Sequence, residues 1–239
     1  MAHCEQVGTA VGTVDPPRSR LRALCAALPA RDGVAVFTRV YTEAAEAADR
    51  RAAEGAFPAV RAAGALDTRL AERALSALGT PDGGRRPPAC WRPLLRFRRH
   101  PGVRPAQFAL AGLHAQAGHD LALAVVDTCR TLGCEPVDLE AGFDRVGDLL
   151  ASVEERIREE LTPGPDRLRL ADPLAHLLGV WSLDRARDAA WSAARALWSL
   201  GERPGIAGEL ADRLDTTTGL AAQMLLTPLS GPGAREAVR

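Results

Sequence analysis

The sequence predicts an all-α protein, a single compact bundle of about seven to nine helices around a central buried helix over residues 105–132. Three observations support this fold class. Apolar side chains recur at helical spacing along most of the chain. No segment longer than a few residues alternates between apolar and polar side chains, as a half-buried strand would. Residues 105–132 are apolar on nearly every side, which is typical of a buried helix.

The predicted helices follow one another between residues that favour turns and helix ends. Loops are indicated by the Pro- and Gly-rich stretch 79–88, by Gly133 and by Gly201. Ser182 is a residue type that caps helix N-termini. We therefore expect helices at about 21–28, 33–44, 65–78, 91–97, 105–132, 140–161, 172–178, 183–200 and 204–226.

The chain is expected to form one domain. No repeat period and no long linker divides it. Residues 1–17 carry few large apolar side chains and end in two prolines, so we predict a disordered N-terminal tail. The helical domain then covers residues 18–228, and a flexible C-terminal tail covers residues 229–239.

The charged residues exclude several classes of protein. Thirty basic and thirty acidic side chains balance to a net charge of zero, so no overall field attracts nucleic acid or an anionic membrane. Every basic residue is an arginine, and both Lys and Asn are absent, which we interpret as the codon bias of a high-GC, actinobacterial genome. Without lysine the chain can form neither a Schiff base with pyridoxal phosphate nor a P-loop for a nucleotide.

Cysteine usage and the longest apolar run indicate the compartment. The five cysteines are scattered and form no Cys-x-x-Cys pair, so we expect free thiols in a reducing cytoplasm. The N-terminus lacks the basic start and apolar core of a secretory signal. His114, His119 and Asp120 interrupt the apolar run, which argues against membrane insertion. These patterns predict a cytoplasmic protein.

His119 and Asp120 are the strongest site candidates because they lie in the apolar central helix. Burying a histidine or a carboxylate is costly unless the group is hydrogen-bonded, paired or bound to a metal. On a helical wheel both fall in a polar sector with Gln116. This sector lines a cavity in one interpretation and forms a solvent-exposed edge in the other. His114 lies on the far side, where we expect a hydrogen-bonded core histidine.

Glu154 is an independent candidate. It projects between Leu150, Val153 and Ile157, within the apolar stripe of its predicted helix. A carboxylate in such a row needs a partner, a raised pKa or a metal. With His119 and Asp120 it would give a histidine and two carboxylates, a set that suits a divalent Fe, Mn or Zn ion in a helix bundle. The alternative is a buried ion pair with an arginine.

Four further residues are predicted to contact a substrate. Gln116 shares the polar sector of the central helix, and Trp191 lies on an aromatic face of its own predicted helix. Trp91 and Arg92 begin a segment rich in arginine. Such a basic run either holds a phosphate or carboxylate group of a ligand or is a solvated face.

The sequence carries no standard catalytic signature, but it resembles a known family. Gly-x-Ser-x-Gly, Gly-x-Gly-x-x-Gly, His-Glu-x-x-His and Asp-Asp-x-x-Asp are all absent. Four segments, in order over about residues 20–205, resemble a family of actinobacterial and some fungal proteins that is known only as a domain of unknown function. They are WRPL (91–94), QFALAGLHAQAGHDLALAVVDTC (107–129), FDRVGDLLASVEERIR (143–158) and ARDAAW (186–191).

The central motif of that family resembles Asn-Ala-His-x-Asn-His-Asp-Leu. His119, Asp120 and Leu121 match it. This chain differs at three other motif positions, where His114, Gln116 and Gly118 replace Asn, His and Asn respectively. An amide is a poorer ligand than an imidazole for soft or borderline metals. The resemblance therefore implies a helical fold and draws attention to His119 and Asp120, while Gln116 weakens the case for a metal.

Three functions are consistent with these patterns. The first is a small-molecule enzyme of actinobacterial, and in one variant specialised biosynthetic, metabolism. It would act on a largely apolar substrate in a pocket between the central helix and the 140–161 helix. His119 or Glu154 would be the general acid or base, oriented by Asp120, or a divalent metal would assist. The second is a non-catalytic helical protein that binds an apolar ligand. The third is a scaffold in which the polar residues only fix the core.

Overall fold

The computed structural model describes residues 15–53, 60–79, 86–161 and 182–228, and within these ranges the chain is helical with no strand. The predicted all-α fold is confirmed. The helices are α1 (Pro17–Ala26), α2 (Gly33–Ala53), α3 (Val60–Leu78), α4 (Arg92–Phe97), α5 (Pro105–Ala115), a π-helical turn (Gln116–Asp120), α6 (Leu121–Leu132), a 3-10 turn (Pro136–Leu139), α7 (Glu140–Leu161), α8 (Leu183–Ser199) and α9 (Pro204–Leu225).

Most predicted helix ends agree with the structure because the capping residues act as expected. The Ser182 side chain accepts the backbone N–H of Arg185 at 3.4 Å, and Gly133 ends α6 in the left-handed conformation at φ 65°. Pro17 begins α1 earlier than predicted, since proline is favoured in a first helical turn. The predicted helix at 172–178 lies outside the described residues, as do positions 1–14 and the predicted tail at 229–239.

The central element consists of α5, the π turn and α6, and it is buried on nearly every side, as predicted. Helices α2, α3, α7, α8 and α9 pack around it. The largest fully buried side chains come from several of these elements, so one apolar core holds the bundle together; they are Trp91, Tyr41, Phe37, Leu21, Leu66, Leu94, Leu110, Leu113, Leu121, Leu139 and Leu183.

The prediction of one uninterrupted helix over residues 105–132 is wrong at its centre. Gln116–Asp120 forms a π turn, which accommodates one more residue than an α-turn. The extra residue rotates every side chain of α6 by about 100° relative to those of α5. A wheel drawn with a single period therefore misplaces the polar residues on one side of this turn.

Glycines bring α9 close to the segment before α4 and to the π turn. A Cβ atom at Gly219 would lie 2.7 Å from the carbonyl oxygen of Ala89. A Cβ at Gly118, inside the π turn, would lie 2.9 Å from Oγ1 of Thr218. Larger residues at either glycine would push α9 away, so these contacts set the geometry of the site described next.

Among the described helices none is both long enough and apolar enough to cross a membrane.

Candidate functional site

The π turn brings the side chains of His119 and Asp120 into direct contact. Neighbouring residues of a regular α-helix point about 100° apart. Here Nδ1 of His119 lies 2.8 Å from Oδ1 of Asp120, and both residues are buried. The two strongest candidates from the sequence therefore form a hydrogen-bonded pair inside the protein.

Trp91 holds the other oxygen of the same carboxylate. Its indole Nε1–H donates to Oδ2 of Asp120 at 2.9 Å. The Trp91 ring is fully buried and packs edge-on against Phe37, with 5.1 Å between the ring centroids. Each oxygen of Asp120 thus has a partner, and the carboxylate cannot turn without breaking one of the two hydrogen bonds.

Cys90 is a third member of this cluster. Its Sγ lies 3.5 Å from Nδ1 of His119. Burial raises the pKa of the Cys90 thiol, and the negative charges of Asp120 and Asp215 raise it further, so the sulfur is held as a thiol. Cys90 thus presents the sulfur of a neutral thiol, rather than of a thiolate, to Nδ1 of His119.

Asp215 of α9 fixes the backbone beside Cys90. Its two carboxylate oxygens accept the N–H groups of Ala89 and Cys90 at 2.7 and 2.9 Å. Burial acts to raise the pKa of Asp215, but these two backbone donors outweigh it and the pKa is lowered. Asp215 therefore stays ionised and ties α9 to the cluster.

No pattern in the sequence indicated Cys90 or Asp215 as site residues. Asp215 is 125 positions from Cys90 along the chain, and only the tertiary packing of α9 brings the two together. Cys90 precedes the WRPL segment, but a lone cysteine predicts no partner.

The hydrogen bond from His119 to Asp120 decides which ring nitrogen is available for chemistry. An ionised carboxylate only accepts hydrogen bonds, so Nδ1 carries the proton in the neutral imidazole. The lone pair is then on Nε2, for which the described residues show no hydrogen bond. A histidine with this tautomer is suited to accept a proton or to bind a metal.

Cys90, His119 and Asp120 also have the composition of a metal site. One ligand atom from each lies within 4.8 Å of the others. Tetrahedral zinc, with bonds of about 2.3 Å to sulfur and 2.0 Å to nitrogen, places those two ligands about 3.5 Å apart. The Sγ to Nδ1 distance of 3.5 Å fits this spacing, whereas the 2.8 Å between Nδ1 and Oδ1 is a hydrogen bond. These residues fit a metal only after that hydrogen bond opens.

Glu154 has a backbone partner at the start of α8. It is buried, and its Oε2 accepts the backbone N–H of Leu183 at 3.0 Å, at the first residue of α8. The carboxylate therefore satisfies a helix N-terminus and joins α7 to α8. Glu154 is not a member of the cluster formed by Cys90, His119 and Asp120.

Gln116 faces a small cavity. This cavity lies between the central element and helices α2, α3 and α7, and Gln116 rather than His119 borders it. Its volume of about 20 Å³ is enough for one water molecule. Nε2 of Gln116 is buried and makes no well-formed hydrogen bond to any residue that the structure describes. The lining residues are Tyr41, Asp67, Leu70, Gln116, Leu121, Val146 and Leu150.

Tyr41 and Asp67 form the polar wall of this cavity. The Tyr41 hydroxyl donates to Oδ1 of Asp67 at 3.1 Å. Burial, followed by the charge of Asp67, raises the pKa of Tyr41 well above its usual range. Burial also raises the pKa of Asp67, although the nearby Arg18 opposes this shift. The wall therefore presents an un-ionised hydroxyl to the cavity.

The other two residues predicted to bind substrate lie in different places. Nε of Arg92 donates to the carbonyl oxygen of Pro87 at 2.8 Å and so holds the chain before α4. Trp191, in α8, is half-buried and packs on Phe143 with ring centroids 4.6 Å apart. The contact of Arg92 and Trp191 with a substrate stays a prediction.

The fold and the site define an all-helical protein with a buried histidine–carboxylate pair in a π turn. A family model matches residues 14–228, and the chain belongs to that family, DUF5995, a family of unknown function. The resemblance noted from the sequence is thereby confirmed. No curated protein and no solved structure is significantly similar to the chain.

Proposed function

We propose that the protein is a cytoplasmic enzyme that acts on a small, largely apolar molecule by acid–base chemistry, with His119 as the group that moves the proton. The observation that carries this proposal is the 2.8 Å hydrogen bond from His119 to Asp120. A buried imidazole with one nitrogen held by a carboxylate and a lone pair on the other is the arrangement that general-base histidines use.

The neighbouring residues have positioning roles in this proposal. Asp120 fixes the tautomer of His119 and stabilises the imidazolium that forms when Nε2 takes a proton. Trp91 holds the second oxygen of Asp120, so the carboxylate keeps its orientation during the reaction. Asp215 holds the backbone of Cys90, whose sulfur lies against Nδ1 of His119.

A metal-assisted variant is supported by the donor set of Cys90, His119 and Asp120. A thiolate and an imidazole favour zinc over iron or manganese. When bound there, a divalent ion would act as a Lewis acid or lower the pKa of a bound water. Cys90 would have to lose its proton on binding, and burial opposes this loss in the protein without metal.

The experiment compares two single substitutions on the central element. His119→Gln keeps a donor that can reach Asp120 but removes the imidazole, while Leu121→Ala removes a fully buried apolar side chain. Each purified protein is incubated with a small-molecule extract of actinobacterial cells, and the extract is compared by mass spectrometry before and after. Unfolding is followed by circular dichroism, and metal content is measured on protein purified without a histidine tag.

The wild-type protein is expected to consume at least one apolar metabolite that His119→Gln leaves untouched. Leu121→Ala should lose about 2–5 kcal/mol of stability and keep the reaction, whereas His119→Gln should lose little stability. If zinc is present in the wild-type protein and absent from His119→Gln and Cys90→Ser, the result would support the metal-assisted form of the mechanism. Turnover by His119→Gln equal to that of wild type would refute the proposal.

The alternative is a non-catalytic protein that binds a ligand or serves as a scaffold. The small volume of the cavity at Gln116 favours it, since about 20 Å³ does not hold an organic substrate. On this alternative His119→Gln would cost as much stability as Leu121→Ala, and no metabolite would be consumed by any of the proteins.

A further inference from the structure

Two cysteines come together at the end of α6. Gly133 takes the left-handed conformation that ends the helix, and the backbone N–H of Cys134 donates to the carbonyl oxygen of Cys129 at 3.1 Å. This is the six-residue hydrogen bond of a Schellman motif, in which the side chains of the first and last residues typically touch. The motif therefore places Cys129 and Cys134 next to each other at the end of α6.

The two thiols interact electrostatically. Burial raises the pKa of Cys129 to about 12, and the thiol of Cys134 contributes to the shift. A disulfide joins residues whose Cα atoms are about 4.4–6.8 Å apart. A backbone hydrogen bond between the same two residues keeps their main chains at this kind of separation, so little backbone movement is needed to join the sulfurs.

The two thiols differ in accessibility. Cys129 is fully buried, whereas Cys134 is partly exposed, between the exposed residues Gly133 and Glu135. A small oxidant in solution therefore meets Cys134 first, and Cys129 is the buried thiol behind it. An accessible cysteine with a second cysteine beside it is the arrangement found in redox-sensitive pairs.

We propose that Cys129 and Cys134 are a peroxide-sensitive dithiol that closes to an intrachain disulfide. The Cys134 thiol loses its proton, and the thiolate attacks one oxygen of a hydroperoxide, so that an S–O bond forms and the O–O bond breaks. The other oxygen takes up that proton and leaves as water or an alcohol. The sulfur of Cys129 then attacks the Cys134 sulfenic acid, so that the S–S bond forms, the S–O bond breaks and water leaves with the Cys129 proton. Two thiols thereby give two electrons to one peroxide.

The test uses the full-length protein and hydrogen peroxide. The wild-type chain is expected to lose the mass of two hydrogen atoms and to yield a peptide cross-linked between Cys129 and Cys134, both reversed by dithiothreitol. Cys25→Ser is the matched control, since Cys25 is another partly exposed cysteine, which contacts the Ala35 carbonyl at 3.4 Å. It should form the same cross-link to the same extent as wild type.

Two further variants test the order of the steps. In Cys129→Ser, and in Cys129→Ala as a second variant, Cys134 should stay as a sulfenic acid and be trapped by dimedone. In Cys134→Ser the Cys129 thiol should remain reduced. Circular dichroism verifies that each variant is folded. Peroxide that leaves Cys129 and Cys134 reduced in folded wild type, or a dimedone adduct on Cys129 in place of Cys134, would overturn the proposal.

Discussion

Two histidines of the central element, His114 in α5 and His119 in the π turn, occupy different chemical environments. Burial lowers the pKa of His114 from 6.5 to about 4, so His114 is neutral near neutral pH. His119 is even less exposed, but it lies 2.8 Å from the carboxylate of Asp120 and beside the sulfur of Cys90. The comparison shows that burial dominates the protonation of His114, whereas His119 has a carboxylate that fixes the orientation of its ring.

Asp120→Ala should remove the carboxylate that distinguishes His119 from His114. Of the substitutions considered in this comparison, it should lower the stability of the protein most. It leaves two buried donors, Nδ1–H of His119 and Nε1–H of Trp91, without their acceptor. Each unpaired donor costs about 1–3 kcal/mol, so the free energy of unfolding should fall by roughly 2–6 kcal/mol in chemical denaturation.

Asp127→Ala is the control on α6, because Asp127 makes a partly exposed ion pair with Arg73 at 2.5 Å. Such pairs contribute about 0–1 kcal/mol. Equal losses for Asp120→Ala and Asp127→Ala would mean that the buried carboxylate has no special structural role.

The pH dependence of stability should show the effect of the lowered pKa of His114. Because its pKa is lower in the folded state, the unfolded chain binds an extra proton between pH 6.5 and about pH 4. Stability is therefore lost as the pH falls through this window, by on the order of 3 kcal/mol from this group. Denaturation of wild type and His114→Gln across that range checks the prediction. Parallel pH profiles for the two proteins would contradict it.

Gly219→Ala should disturb the packing of α9 near His119 and leave the surroundings of His114 unchanged. The new Cβ would meet the Ala89 carbonyl oxygen at 2.7 Å and displace α9, so we expect a loss of about 1–3 kcal/mol. Gly208→Ala is the matched control in the same helix, since a Cβ there meets no described residue within 4 Å. It should raise stability by about 0.5–1 kcal/mol, as alanine does in a helix. A higher unfolding temperature for Gly219→Ala than for wild type would show that α9 can move to make room for the new Cβ atom without loss of stability.

Gln116→Leu should have the smallest effect, because Nε2 of Gln116 makes no well-formed hydrogen bond to the described residues, although the amide is close enough to the Tyr41 hydroxyl to lower its pKa. We expect stability to change by less than about 1 kcal/mol, in the stabilising direction, since an apolar group replaces an unpaired buried donor. Chemical denaturation measures the change. A loss greater than about 2 kcal/mol would show that the amide binds something inside the cavity.

The sequence was sufficient for the fold but only partly for the site. The bounds of α7, Glu140–Leu161, agree with the prediction because its apolar stripe is regular. Glu154 was recognised as a carboxylate in need of a partner, but its bond to the backbone of Leu183 depends on how α8 packs. The π turn was missed because a fixed period of 3.6 residues cannot represent an added residue. The contact from Asp215 to Cys90 joins distant parts of the chain and has no local signal.

The π turn makes the length of the central element as important as its composition. Deleting one residue, such as Gly118, would let the segment wind as a continuous α-helix. The side chains of α6 would then turn by about 100° relative to α5, so that Phe108 and Val125 could no longer both point into the core. A single-codon deletion at this point would therefore do more harm than most substitutions there, and insertions and deletions within the family are expected to spare this turn.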